Sequence, residues 1–193
     1  MKILGVDPGT RKTGVGLIET QGSGYQLVYS GIIQNPANRP IAERLQTIYR
    51  ALSDIIDQLK PDILALEDIF YGKDFRAMVR IGEARACAML AASGKSVPVV
   101  EYAPAQVKQA VSGNGQASKL QVQQMIKTLL HLKTLPQSDS SDALAVAICH
   151  GHRSRFGRLQ EAGIQTYGKK TIFSVKKNKK GWDLVSLSQR QAR

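Results

Sequence analysis

The chain has 193 residues with 42% hydrophobic content, enough for one domain with a substantial core and too apolar for general disorder. Lys and Arg outnumber Asp and Glu by 27 to 15, and a net charge of +12 points to a polyanion as partner, either nucleic acid or an acidic membrane. No apolar run is long enough to span a bilayer, and Asp7-Pro8-Gly9 interrupts the start before any signal-like core can form, so a cytoplasmic protein with no membrane span is expected.

Lys2 to Asp7 reads as an apolar strand climbing to a carboxylate, and the Asp-Pro-Gly behind it must turn. Gly14-Val15-Gly16-Leu17-Ile18 follows at once as its hairpin partner. Strands are therefore predicted over residues 2–7 and 13–20, with a third from Leu27 to Ile33. After a loop from Asn35 to Pro40, apolar residues recur at three- and four-residue steps from Ile41 to Leu59, which predicts a helix with Pro40 in its first turn. Ile63 to Glu67 shows the continuous apolar pattern of a buried parallel strand and again finishes in a carboxylate.

Phe70 to Arg76 mixes aromatic and basic residues in a loop, a combination suited to stacking on bases and meeting phosphates. Phe75 is assigned to the interior, while Phe70 and Tyr71 are open to either role. An Ala-rich helix is predicted from Met78 to Ser93 and a strand from Val97 to Tyr102, whose Pro98 suits an edge or a strand start. A short helix from Ala105 to Val111 carries Lys108. Ser118-Lys119-Leu120-Gln121 has capping-box spacing and opens a helix to about Leu132. Lys119 then lies in a first turn, where a cation is disfavoured unless it is solvated or has an anionic neighbour. The last helix starts at Ser138 and is almost wholly apolar after its first turn, with Asp139 and Asp142 three apart on one face. Cys87 and Cys149, without CxxC spacing, read as small buried thiols of a reducing compartment.

Four acids thus stand at element ends: Asp7, Glu67, Asp139 and Asp142. Each has an ordinary explanation, since turn aspartates bond backbone amides and first-turn acids cap helices and complement the dipole. Asp68 competes with Glu67, because neighbouring strand residues face opposite ways and only one of the two can meet Asp7. If the acids converge, like charges ~4 Å apart repel by several kcal/mol at protein-like dielectric, and a hard divalent cation relieves this. All-oxygen ligation favours Mg²⁺ or Mn²⁺ over Zn²⁺, and two such ions can clamp the attacking and leaving oxygens of a phosphodiester. That chemistry belongs to a nuclease, for which a basic chain supplies substrate contacts.

With these residues in view, the chain resembles the RuvC family of Holliday-junction resolvases. The resemblance covers about residues 1–152 through Gly5-Val6-Asp7-Pro8-Gly9, Leu66-Glu67 with the Phe70 loop, Glu101-Tyr102 and Gln106-Val107-Lys108-Gln109. It continues through Lys119-Leu120-Gln121-Val122-Gln123 and Asp139-Ser140-Ser141-Asp142-Ala143-Leu144-Ala145. It implies a ribonuclease H-like α/β fold, a five-stranded mixed sheet flanked by helices. The implied metal-binding catalytic acids are Asp7, Glu67, Asp139 and Asp142, which favours Glu67 over Asp68. Lys119 would also be catalytic, Lys108 and Lys119 would lie near the scissile phosphate, and Phe70 would meet bases at the junction centre. Tyr71, Lys73 and Arg76 are expected as further DNA contacts. Ser140 and Ser141 stand where family members often have alanine.

The resemblance further implies a homodimer that nicks a four-way DNA junction in recombination and repair at two symmetric points, leaving 5′-phosphate and 3′-hydroxyl ends. Two Mg²⁺ ions per site, replaceable by Mn²⁺, and a branch-migration motor of the RuvA-RuvB type as partner are implied with it. Residues 1–153 would form the nuclease domain and 154–193 a basic, partly disordered extension. Residues 151–193 hold 11 Lys and Arg against 2 acids, which suits DNA contact or simple solvation. Three rivals share parts of this pattern. The sugar-kinase, Hsp70 and actin ATPases have a similar opening hairpin but need two such domains. A non-catalytic junction-binding module requires the acids to be structural. A nuclease of the same fold acting on RNA hybrids or transposon ends differs only in loops.

Overall fold

The computed structural model describes residues 1–22, 24–68 and 74–160, with side chains to 155. The described elements are β1 (Lys2–Asp7), β2 (Lys12–Gln21), β3 (Gly24–Gln34), α1 (Ile41–Leu59), β4 (Ile63–Glu67), α2 (Phe75–Gly94), β5 (Val99–Tyr102), α3 (Pro104–Ser112), α4 (Lys119–Leu129) and α5 (Ser138–Gln160). The strands form one sheet in the order β3-β2-β1-β4-β5, antiparallel from β3 to β1 and parallel from β1 through β4 to β5. The five strands are those the apolar pattern predicts, and their mixed arrangement is the one the family resemblance implies. Residues beyond Gln160, most of the expected basic extension, and Phe70, Tyr71 and Lys73 lie outside the described residues.

Alternation along the strands sorts the core into two layers. Leu4, Val6, Val15, Leu17, Leu64 and Leu66 face α1 and α2 through Ile48, Leu52, Ala84 and Ala88. Ile3, Ile18 and Ala65 face α3, α4 and α5 through Val107, Ile126, Leu144 and Ile148. A side-chain period of two then puts Gly5 and Asp7 with Ile3, and Glu67 with Ala65, on the α5 side.

Glycine sets how near α5 comes. A Cβ on Gly5 would stand 2.0 Å from the Ala143 carbonyl oxygen, and one on Gly14 would stand 1.9 Å from that of Asp139. The first turns of α5 therefore lie directly on β1 and β2, closer than any side chain permits. At the far end, the Tyr102 hydroxyl and His150 Nδ1 are 2.8 Å apart and tie α5 to β5.

Several boundaries differ from the sequence expectation for identifiable reasons. α2 begins three residues early because Asp74 caps it, its side chain accepting from the Ala77 amide at 3.1 Å. Phe75, assigned to the interior, is 73% exposed, because it falls on the helical stripe of α2 shared with the exposed Val79 and Leu90 and away from the buried Ala84 and Ala88; this expectation is corrected. Arg76 likewise belongs to that helix and not to a loop, and it is exposed. β5 begins at Val99, because the Val97 amide closes the end of α2 on the Ala92 carbonyl at 2.9 Å. α4 stops at Leu129. His131 turns left-handed at φ 52, while Leu130 and Leu132 keep their apolar contacts and so prolong the sequence pattern past the helix.

Gly5→Ala should lower unfolding free energy by about 3 kcal/mol or more, the cost of overpacking against an unyielding backbone. Gly94→Ala, where an added methyl meets nothing within 4 Å, should stabilise by up to about 1 kcal/mol. Urea denaturation of both variants checks the contrast.

Candidate active site

β1 and β4 are parallel neighbours that run out at the same edge, with Val6 opposite Leu66, so Asp7 and Glu67 lie one strand spacing apart. Both occupy the α5 side of the sheet. Across β1 and β2, Asp7 pairs with Gly14, and the backbone of Asp139 rests on that glycine. The close approach of α5 thus places its first turn over Asp7, with Asp142 one turn further along. The turn itself is compact: Thr13 Oγ1 donates to the Gly9 carbonyl at 2.8 Å, and a Cβ on Gly9 would meet the Lys12 carbonyl at 2.4 Å. Asp68 falls on the other side, 3.4 Å from Arg85 Nη2.

The electrostatics follow from this crowding. Burial pushes the Asp7 carboxyl up to about 6, helped by the charges of Asp142 and Asp139 and opposed by Lys119. Burial pushes Glu67 up to about 7, helped by Asp7 and Asp142 and opposed by Lys108 and Lys119. No hydrogen-bond or ion-pair donor among the described residues meets either carboxylate. The two more open acids do have cations. Lys119 Nζ lies 2.7 Å from Asp142 Oδ2, and Lys12 Nζ lies 3.7 Å from Asp139 Oδ2. Burial alone would lower the Lys119 ammonium, but its hydrogen bond to Asp142 and the charges of Asp142, Asp7 and Asp139 outweigh that and raise it. The cation in the first turn of α4 therefore has the anionic neighbour its position demands. The predicted capping box is present as well, with the Gln121 amide on Ser118 Oγ at 3.3 Å and the Ser118 amide on Gln121 Oε1 at 2.8 Å.

Glu67, Asp142, Lys108 and Lys119 line one cleft of about 220 Å³, with Val107 and Val122 as apolar wall. Asp139 stands at its β2 side with Lys12. Among the described residues no three of His, Cys, Asp or Glu already enclose a metal position, since the lysines hold Asp142 and Asp139. The donor chemistry nonetheless fits a hard cation. Two half-buried carboxylates without donors, and two more whose present counter-ions are flexible ammonium groups, offer only oxygen. Ser140 and Ser141 are buried between the acids of α5; Ser140 Oγ donates to the Gln137 carbonyl at 3.0 Å, whereas Ser141 Oγ has no hydrogen-bond partner among the described residues.

Two cations at the site were not singled out by sequence reasoning. Lys12 follows the turn behind Asp7 and looked like any polar hairpin residue. Arg85 sits in the run Gly82-Glu83-Ala84-Arg85-Ala86-Cys87-Ala88, where an arginine inside a small-residue helix was the available signal. It is 7% exposed and donates to the Glu67 carbonyl and to the Glu101 carboxylate.

The family model for crossover junction endodeoxyribonuclease RuvC matches residues 3–150. A crossover junction endodeoxyribonuclease RuvC of Citrifermentans bemidjiense is 48% identical over 159 residues, 82% of this chain and 97% of that relative. One from Syntrophotalea carbinolica is 51% identical over 152 residues, 79% of this chain and 94% of the relative. Among solved structures, T. thermophilus RuvC in complex with a Holliday junction substrate superposes with a TM-score of 0.78 at 31% identity, covering 81% of this chain and 96% of that one. The sheet is thus ribonuclease H-like, and the chain belongs to the RuvC family of crossover junction endodeoxyribonucleases.

Proposed function

We propose that this chain resolves four-way DNA junctions, with Asp7, Glu67, Asp139 and Asp142 as its metal-binding catalytic acids. The family is one of metal-dependent nucleases. The observation that carries the assignment is the donorless, desolvated pair Asp7 and Glu67, with Asp142 close enough to raise both. A half-buried pair of acids kept without hydrogen bonds is a liability in a structural role and an asset for a cation. Two Mg²⁺ ions per site, with Mn²⁺ as substitute, would supply an activated water and charge neutralisation at the phosphodiester.

The chain's own residues do the rest. Lys108 and Lys119 set positive charge at the rim of the cleft, where a backbone phosphate must enter beside Glu67 and Asp142. Lys119, paired with Asp142 at the cleft, would be placed to offset charge on the pentavalent phosphorus. Phe70, Tyr71, Lys73 and Arg76 are proposed as further contacts to the junction DNA. The basic residues of 154–193, beyond a nuclease domain of 1–153, add phosphate contacts. Cleavage leaves 5′-phosphate and 3′-hydroxyl ends.

A four-way junction with two-fold symmetry asks for two such sites, and α2 offers a surface for a second copy. Phe75, Val79 and Leu90 are exposed along one face of the helix, at 73%, 44% and 63%, with Ala86 between them. Steps of four and eleven residues keep them in one stripe, the pattern of a helix paired with its symmetry mate. A branch-migration motor of the RuvA-RuvB type would deliver the junction in the cytoplasm. No helix of the described residues is long and apolar enough to cross a membrane.

Asp7→Asn should abolish nicking in Mg²⁺, by 10³-fold or more, while junction affinity in EDTA stays within a few-fold; equal loss of binding would refute the metal role. Because the Asp7 carboxyl is raised from 3.8 to about 6, its contribution to metal-free stability is full below pH about 4 and is lost as pH rises through about 6. At pH 8 without metal, Asp7→Asn should therefore be more stable than the wild type, by on the order of 1–2 kcal/mol. Calorimetric scans of both proteins check this sign.

Protons and cations compete for the same carboxylates, so the acid limb of the nicking rate should move to lower pH as Mg²⁺ is raised. Rate profiles at 1 and 20 mM Mg²⁺, concentrations of roughly the order such sites require, measure the shift. Val79→Asp should convert a dimer into a folded monomer and uncouple the two nicks, as read by light scattering and by cleavage of a cruciform plasmid.

A further inference from the structure

Behind the strand that carries Glu67 lies a buried charge which the proposed chemistry does not use. Arg85 sits in α2 between Ala84 and Ala88, both fully buried, against the sheet. Taking a guanidinium out of water is expensive, and filling space alone would be served better by an apolar residue of similar volume. Its hydrogen-bonding capacity is concentrated in one place. Nη1 donates to the backbone carbonyl of Glu67, and Nη2 donates to Glu101 Oε1 and lies 3.4 Å from Asp68 Oδ1.

The target of Nη1 is informative. The peptide joining Glu67 to Asp68 has its carbonyl on Arg85 and its amide on the Tyr102 carbonyl, at 2.9 Å. Both polar groups of one peptide unit are therefore held from outside β4, at the point where the strand ends. The carboxylate of Glu67 accepts no hydrogen bond from the described residues, so nothing at its own oxygens aims it. Its direction depends on the backbone that bears it. A planar fork of five donors can bridge a carbonyl and two carboxylates at fixed angles, which a lysine ammonium cannot reproduce. By taking the carbonyl and not the carboxylate, Arg85 also leaves both Glu67 oxygens to the site.

We propose that Arg85, anchored by Glu101 and Asp68, is a positioning residue that fixes the Glu67–Asp68 peptide plane and so aims the Glu67 carboxylate at the site shared with Asp7. This rests on the reading of Glu67 as a metal ligand. Outer partners that orient a ligand cost roughly 10–100-fold in metal affinity when removed.

The test compares full-length wild type, Glu67→Gln, Arg85→Met, Arg85→Lys and Glu101→Gln, using Mn²⁺ alone as probe. Free Mn²⁺ is followed by electron paramagnetic resonance without DNA, junction affinity is measured in EDTA, and unfolding midpoints are recorded. Arg85→Met should weaken Mn²⁺ binding roughly 10- to 100-fold, with Arg85→Lys and Glu101→Gln between it and the wild type. Junction affinity should stay within about twofold, and nicking should recover at high Mn²⁺, results that a general loss of structure would not give. Wild-type Mn²⁺ affinity in Arg85→Met overturns the proposal, as does parallel loss of metal and junction binding. Should that variant not fold, wild-type Mn²⁺ affinity in both Arg85→Lys and Glu101→Gln overturns it, and weakened affinity in either with junction binding intact supports it. Undiminished Mn²⁺ binding in Glu67→Gln would instead overturn the metal-ligand reading and this inference together.

Discussion

Two carboxylates placed side by side at the ends of parallel strands, and then covered by a helix, repel each other in a medium that screens them poorly. In this chain burial, reinforced by the charges of neighbouring acids, makes Asp7 and Glu67 hold protons more tightly than ordinary acids, with carboxyl groups raised to about 6 and about 7. Neither is rescued by a donor among the described residues, while the arginine nearest to Glu67 is turned to its backbone. The fold tolerates this cost because the rest of the sheet is an efficient two-sided core. The site is therefore a charged defect held open by good packing elsewhere.

The covering helix makes the defect. α5 touches the sheet through Gly5, Gly14 and Gly16, so its backbone reaches where side chains would otherwise keep it away. A helix at ordinary distance from the sheet would leave Asp139 and Asp142 farther from Asp7, and their charges would be correspondingly better screened. The Tyr102–His150 contact, where burial and the charge of Arg153 lower the His150 imidazole, ties the other end of α5 to β5.

Charge is then distributed by reach. Flexible ammonium groups, Lys119 and Lys12, attend the two acids nearer solvent, where they can let go. The rigid guanidinium of Arg85 is used beneath the strand end, where it holds backbone. This division matches the physical difference between the two side chains, a mobile point charge against a fixed planar fork.

Much of this was legible in the chain itself. The Asp7-Pro8-Gly9 turn, the period-two and period-3.6 apolar patterns, the Ser118–Gln121 capping box and the acid-terminated strands determined the order and type of all ten described elements, because each is a local property of a few residues. Strand alternation also restricted the choice to Glu67 or Asp68, and the resemblance to a known family favoured Glu67. What only the tertiary structure decided were relations between distant segments. Which of Glu67 and Asp68 faces Asp7 depends on which layer Ala65 joins. The exposure of Phe75 depends on which face of α2 docks on the sheet, and the partners of Lys12, Lys119 and Arg85 depend on the glycine-permitted seating of α5 and the register of β4 with β5. Local sequence carries torsional preference and polarity, but a side chain's neighbours across space are fixed only when the elements dock, and there the chemistry of this chain is set.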